Sequence, residues 1–229
     1  MGTTITAAVL AALLATGATA PLAASDDDPT PPAKATLAEL QQLGDEAIGR
    51  RLTALDAATK RVAAVQSLDD RHRATIDATV DATRDGLAAL RVELAGDTDA
   101  ASAREDYRRI FTDFRVYAVV LPQTFVAAGA DRALAVTIPR LEDAADRLEQ
   151  EVVAQGRDDL ADEISELRAE ISVGAEGVDT LAEQALAVTP AVYNTDPDAM
   201  RGIRISARTA FLSLRSALTD ARALAHELR

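Results

Sequence analysis

From Thr36 onward, apolar residues recur at three- and four-residue spacing almost to the end of the chain. This is the signature of amphipathic helices. The first stripe runs through Leu37, Leu40, Ile48, Leu55 and Val62, then resumes at His72, Ile76, Val80, Leu87 and Leu94. A second runs from Tyr107 through Phe111, Phe114, Leu121, Phe125, Ile138, Leu141 and Leu148 to Val152. A third covers Asp158 to Val188, and a fourth carries Met200, Ile203, Ala207, Phe211, Leu214 and Leu218 towards Leu228. No alternating β-branched run is bounded by turn residues, so no strand is predicted.

Polar punctuation supplies the boundaries. Thr36-Leu37-Ala38-Glu39 reads as a capping box, in which hydroxyl and carboxylate each accept from an otherwise unpaired backbone N–H. Ser67-Leu68-Asp69-Asp70 is a second cap, where the first helix breaks or bends. Gly96-Asp97-Thr98-Asp99 stops one helix and starts another, and Gly156 marks the next turn. Thr189-Pro190 ends the third segment, followed by a loop through Tyr193 and Asn194. Asp196 then caps a last helix that has Pro197 at its first position. Pro122 and Pro139 each remove a donor and crowd the carbonyl four residues back, on Ala118 and Ala135. The stripe continues in phase past both, which predicts kinks and not ends.

The expected fold is therefore all-α: an elongated antiparallel bundle of coiled-coil-like hairpins with kinked helices. Short connections make successive helices antiparallel. A long hairpin is predicted over residues 36–153 and a shorter one over 157–229. A straight arm of about 60 residues would span roughly 90 Å at the α-helical rise.

The N-terminal stretch differs. Residues 1–24 carry no charged side chain and include the apolar run Ala7 to Ala20, ending in small residues. This reads as a secretory signal peptide. No Lys or Arg precedes the run, which departs from the usual leader. Ala18-Thr19-Ala20 fits a small-x-small cleavage rule, but Pro21 is unfavourable after the cut, so cleavage is expected near Ala24 or Ser25. The alternative is an uncleaved anchor helix, which its length also suits. Residues 25–35 combine Asp26, Asp27 and Asp28 with three prolines and read as a solvated linker. Three adjacent aspartates fall short of the six to eight converging oxygens of a calcium site.

Composition narrows the functional classes. The chain has 229 residues, no cysteine and a net charge of −13. Export therefore brings no disulfide framework, and stability rests on helix packing. The negative balance disfavours nucleic acid and anionic membrane surfaces. Of 24 basic residues 22 are Arg, which points to a GC-rich bacterial genome rather than to a function.

Five of the seven aromatic residues lie in one short stretch: Tyr107, Phe111, Phe114, Tyr117 and Phe125. Here helices must pack around bulky groups, so this is the predicted core cluster or interaction surface. Arg115 sits among them. It is expected to stack on Tyr107, Phe111 or Phe114 and to clamp an acid on a facing helix near Asp81 or Asp85, with ligand recognition as the other reading.

The pieces Gly86-Leu87-Ala88-Ala89-Leu90, Ile110-Phe111-Thr112-Asp113-Phe114-Arg115-Val116-Tyr117, Leu121-Pro122-Gln123 and Asp131-Arg132 resemble a group of uncharacterised bacterial exported helical proteins. The resemblance is most specific between Arg-Val-Tyr and Leu-Pro-Gln. It implies an exported all-helical protein of unknown activity and carries over no catalytic residue.

Candidate chemistry is sparse. His72 lies in a helical stripe and suggests an axial haem ligand with Met200 or His226 opposite. Both partners are distant in sequence and no Cys-x-x-Cys-His attachment exists, so His72 reads as a core or boundary residue and His226 as a C-terminal dipole partner. Neither histidine has Glu three positions earlier; Asp69 and Ala223 stand there, which excludes the usual di-iron site. Asp158, Asp159, Asp162, Glu163 and Glu166, with Arg157 and Arg168, read as a solvated ion-paired face. There is no phosphate loop, nucleophile elbow or zinc spacing. The expectation is a non-enzymatic exported protein without catalytic, cofactor or metal residues, serving as a structural or protein-interaction module of the cell envelope or extracellular space. The alternative is a bundle holding a small apolar ligand or lipid near residues 107–125. No membrane span is expected in the mature chain. The protein partner is not legible, and a homo-oligomer stays open.

Overall fold

The computed structural model describes residues 33–229. The expected leader, and residues 25–32 of the linker, lie outside the described residues. The fold is all-α, with no strand among the described residues. Its elements fall into two compact units. One holds residues 33–129 and 182–204, the other residues 130–181 and 205–229.

The first unit is built on α1 (Leu37–Ala63), α2 (Asp70–Gly96) and α3 (Ala100–Thr112), which pack on one another. The predicted caps form as their chemistry requires. Thr36 and Glu39 close a reciprocal capping box on α1, while Asp69 and Asp99 accept from the first free amides of α2 and α3. Residues 36–95 were expected to supply one long arm. Instead the chain turns back at residues 64–69, so α1 and α2 lie against each other. Their cross-links prove the antiparallel register: Gly44 touches Leu94, Asp45 pairs with Arg91, Asp56 with Arg84, and Val62 accepts from Arg73. Gln41 donates to the carbonyls of Leu94, Ala95 and Asp97, satisfying the end of α2 where no basic residue is present. Leu40, Ile48, Leu55, Ile76, Leu87, Leu90, Leu94 and Ile110 are fully buried between the three helices.

After α3 the chain departs from the predicted continuous stripe. Helix α3 stops at Thr112, and Arg115 takes a left-handed backbone at φ 41°, ψ 43°. A π turn follows at Val116–Val120, and only then does α4 (Leu121–Arg132) begin. A second π turn, Ala133–Thr137, precedes α5 (Ile138–Gln155). The prolines explain both. Pro122 and Pro139 are each the second residue of the helix that follows a π turn. The Leu121 N–H bonds the Val116 carbonyl and the Ile138 N–H bonds that of Ala133, five residues back. The wider turn makes room for the pyrrolidine ring where an α turn would clash. Helical structure continues past both prolines by way of these π turns.

Two short helices, α7 (Leu181–Leu186) and α8 (Pro190–Thr195), precede the last one. The loop expected around Tyr193 and Asn194 is thus helical, capped by Thr189 with Pro190 at its start. Helix α9 (Asp198–Glu227) begins after Asp196 accepts from the Asp198 amide.

The second unit packs α5 on α6 (Ala161–Val178), joined through left-handed Gly156 and a 3-10 turn at Asp158–Leu160. Residues 205–227 of α9 complete it. Gly174 and Gly177 of α6 bring the two backbones close. A Cβ at Gly174 would lie 2.5 Å from Leu214, and one at Gly177 2.7 Å from Ala210. Arg168 binds Asp146 and Glu149 across to α5, and Arg157 binds Glu227 at the end of α9.

Segment 100–155 contains an 18-residue window apolar enough by composition to cross a membrane, and 61% of that window is buried inside the protein. A core helix of a water-soluble bundle has the same composition.

Candidate functional site

The aromatic stretch lies at the break between α3 and α4, in the first unit. Tyr107 and Phe111 are buried, with ring centroids 5.2 Å apart in a tilted arrangement. Phe114, Arg115, Tyr117 and Phe125 are half-buried. The cluster is therefore divided, with two rings in the core and three at its margin. The reason is the backbone break: the left-handed turn at Arg115 takes the chain out of the phase that the uninterrupted stripe predicted. Phe114 rests against Gly86 of α2, where a Cβ would come within 3.0 Å of its Cζ.

The cation of the cluster is not the predicted one. Arg51, on α1 and 4% exposed, places its guanidinium 4.2 Å from the Phe111 ring centroid and 5.2 Å from that of Tyr117. Its Nη1 donates to the Ala47 carbonyl. Stacking between rings suits a planar, weakly hydrated cation. Sequence reading missed Arg51 because it sits beside Arg50 in an ordinary amphipathic stretch. The one signal was its position three residues beyond Ile48 and four before Leu55, on the apolar stripe.

Arg115 turns instead towards α8. Its Nε donates to Asn194 Oδ1 at 2.8 Å, and its guanidinium lies 5.3 Å from the Tyr193 ring centroid. Asn194 Nδ2 donates in turn to the Thr112 carbonyl at 2.8 Å, at the end of α3. One amide side chain thus joins the last turn of α3 to the left-handed residue three positions later. Neither predicted acid pairs with it: Asp81 is held by Arg84, and Asp85 is exposed. Arg61 lies over Phe125 at 5.8 Å.

Within the same stretch Gln123 and Thr124 are buried. The Thr124 hydroxyl returns to the Val120 carbonyl at 2.7 Å. Gln123 is 2% exposed, and its Oε1 receives no hydrogen bond from the described residues.

The residues weighed as metal or haem ligands differ in burial. His72 is half-buried with its backbone amide on Asp69, Met200 is fully buried in the same unit, and His226 is exposed in the other. Among the described residues no three His, Asp or Glu side chains group as a metal set. Asp99 and Asp69 have carboxyls held below the usual range by backbone N–H donors at their helix starts. The Asp97 carboxyl is raised by burial and by Asp106, Asp99 and Glu93. All three carboxyls lie at helix ends. No family model, curated protein or solved structure matches this chain.

Proposed function

We propose that the chain is an exported, non-enzymatic helical-bundle protein that binds or spaces other proteins of the cell envelope or extracellular space. Export rests on the uncharged apolar leader pattern of residues 1–24. The interaction role rests on one observation: Phe114, Arg115, Tyr117 and Tyr193 stand half-exposed around a left-handed backbone that Asn194 holds in place. Aromatic and Arg side chains on a rigid mount are the groups that anchor protein interfaces. The site nominates no nucleophile and no acid–base pair.

The test compares tagged wild type with the Arg115→Ala, Tyr193→Ala double variant, both recovered from the producing cells. Wild type should appear outside the cytoplasm with its N-terminus near residue 25 and hold a partner that the variant loses. An intact Met1 in the cytoplasm, or identical partners for both proteins, overturns the reading.

A second reading, an apolar ligand or lipid held near residues 107–125, has Gln123 in its favour. A buried acceptor left without a donor costs about 1–3 kcal/mol; Gln123 Oε1 has none among the described residues, and a ligand hydroxyl or amide would satisfy it. Native mass spectrometry separates the two readings: a retained small molecule supports the second.

A further inference from the structure

Several arginines that bridge helices hold a carboxylate. Arg84, Arg91, Arg109, Arg157 and Arg168 all do. On α9, Arg208 and Arg215 are exposed and have no ion pair among the described residues. Between them and alongside lie Ile205, 60% exposed, and Leu212, 52% exposed. Helical spacing puts Ile205, Arg208, Leu212 and Arg215 on one outward stripe, opposite the buried Ala207, Ala210 and Leu214. From Ile205 to Arg215 the helix contains no acid, although the chain carries a net charge of −13. Single exposed apolar residues are ordinary. A seven-residue repeat of them edged by unpaired arginines is a surface with a polarity and a direction.

The complementary surface is on α6. Asp162, Glu166, Val173 and Glu176 share its outward stripe, opposite the buried Ile164, Leu167 and Ile171. Val173 is 54% exposed, and Asp162 and Glu166 have no ion pair among the described residues. The two stripes cannot meet within one chain. Helices α6 and α9 already face each other through Gly174 and Leu214 and through Gly177 and Ala210, which turns both outward stripes away from the shared contact.

We infer that the chain associates with a second copy of itself, the Ile205–Arg208–Leu212–Arg215 stripe of one molecule docking on the Asp162–Glu166–Val173–Glu176 stripe of another. The apolar residues at the middle of each stripe supply the contact area, and the flanking charges set its register. At physiological ionic strength the screening length is about 8 Å. The long-range repulsion between two acidic molecules is then damped while contacts across the stripes persist.

Sedimentation velocity of the full chain at physiological salt tests this, over roughly 1–200 μM, a range that captures micromolar affinities. Wild type should associate. The double variants Arg208→Glu, Arg215→Glu and Asp162→Arg, Glu166→Arg should each weaken self-association at least about tenfold. An equimolar mixture of the two variants restores opposite charges at the contact and should associate again, a result that misfolding of either variant cannot produce. The inference is overturned if wild type stays monomeric throughout, if either variant associates as wild type does, or if the mixture fails to associate while both variants keep their helical circular dichroism. Binding of a monomeric wild type to phosphatidylglycerol vesicles, lost on Arg208→Glu, Arg215→Glu, also overturns it and assigns the α9 stripe to a lipid surface.

Discussion

Gly86 and Phe114 occupy one space. On α2, Gly86 has no side chain, and the Phe114 ring fills the position that a Cβ and its neighbours would take, with Cζ at 3.0 Å from the ideal Cβ. The pair anchors the margin of the aromatic cluster to α2 just before the chain turns left-handed at Arg115. Glycine inside a helix costs about 0.5–1 kcal/mol relative to alanine, so its presence here follows from the ring.

The two residues should couple. Gly86→Leu should destabilise the wild-type protein by about 1–3 kcal/mol through overpacking. In a Phe114→Ala background Gly86→Ala should stabilise by about 0.5–1 kcal/mol, because helix propensity acts once the ring is gone. Urea midpoints of Gly86→Ala alone, Phe114→Ala alone and the double variant give the cycle. Additive effects would show that the two residues do not share space.

The buried and marginal aromatics should differ in weight. Phe111→Ala removes a buried ring packed on Tyr107 and Arg51, and should cost about 3–5 kcal/mol. Phe114→Ala, at a half-buried site, should cost clearly less. Equal losses in chemical denaturation would contradict the division of the cluster.

Lysine should destabilise the protein at both Arg51 and Arg115, and more at Arg51. Arg51→Lys keeps the charge but loses the planar face against Phe111 and Tyr117, and should cost about 1–2 kcal/mol. Arg115→Lys loses one hydrogen bond at a half-exposed site and should cost about 0.5–1.5 kcal/mol at most. Thermal unfolding of both single variants decides the order.

At position 115 glycine should beat alanine. A left-handed backbone costs a residue with a Cβ about 1–2 kcal/mol, so Arg115→Gly should be more stable than Arg115→Ala by about 1 kcal/mol. This reverses the order expected inside a helix. Comparing the two variants directly cancels the loss of the guanidinium, and the opposite order would show that the turn is not left-handed in solution.

The Glu170 carboxyl should make the α6–α9 contact pH-dependent. Burial raises it above its ordinary 4.5, and Asp220 of α9 and Glu166 of α6 add to the rise, while the Ser216 hydroxyl opposes it. A raised folded-state value means that the proton is held more tightly in the folded protein. The stabilisation is complete below about 4.5 and is lost as pH climbs through the raised value. Glu170→Gln, which mimics the protonated form, should therefore raise Tm at pH 7 and change little at pH 4. A variant less stable than wild type at pH 7 would contradict the sign.

The helices, their caps and their turn residues were legible from the chain alone, because those signals are local. Thr36 with Glu39, Asp69, Asp99 and Gly156 each satisfy backbone groups within a few residues, and the three-four stripe names the face that each helix buries. Pro122 and Pro139 announced disturbed turns for the same reason, although their π form had to be seen. What the tertiary structure decided depends on residues distant in sequence. Periodicity cannot tell one 60-residue arm from two helices folded on each other, since both bury the same stripe. The break at Asp113–Arg115 is stabilised from outside, by Asn194 some eighty residues later, and leaves no mark on the stripe itself. The choice of Arg51 over Arg115 as the cation among the rings goes with that break: the left-handed residue Arg115 lies over Tyr193, and α1 supplies the guanidinium that meets Phe111 and Tyr117.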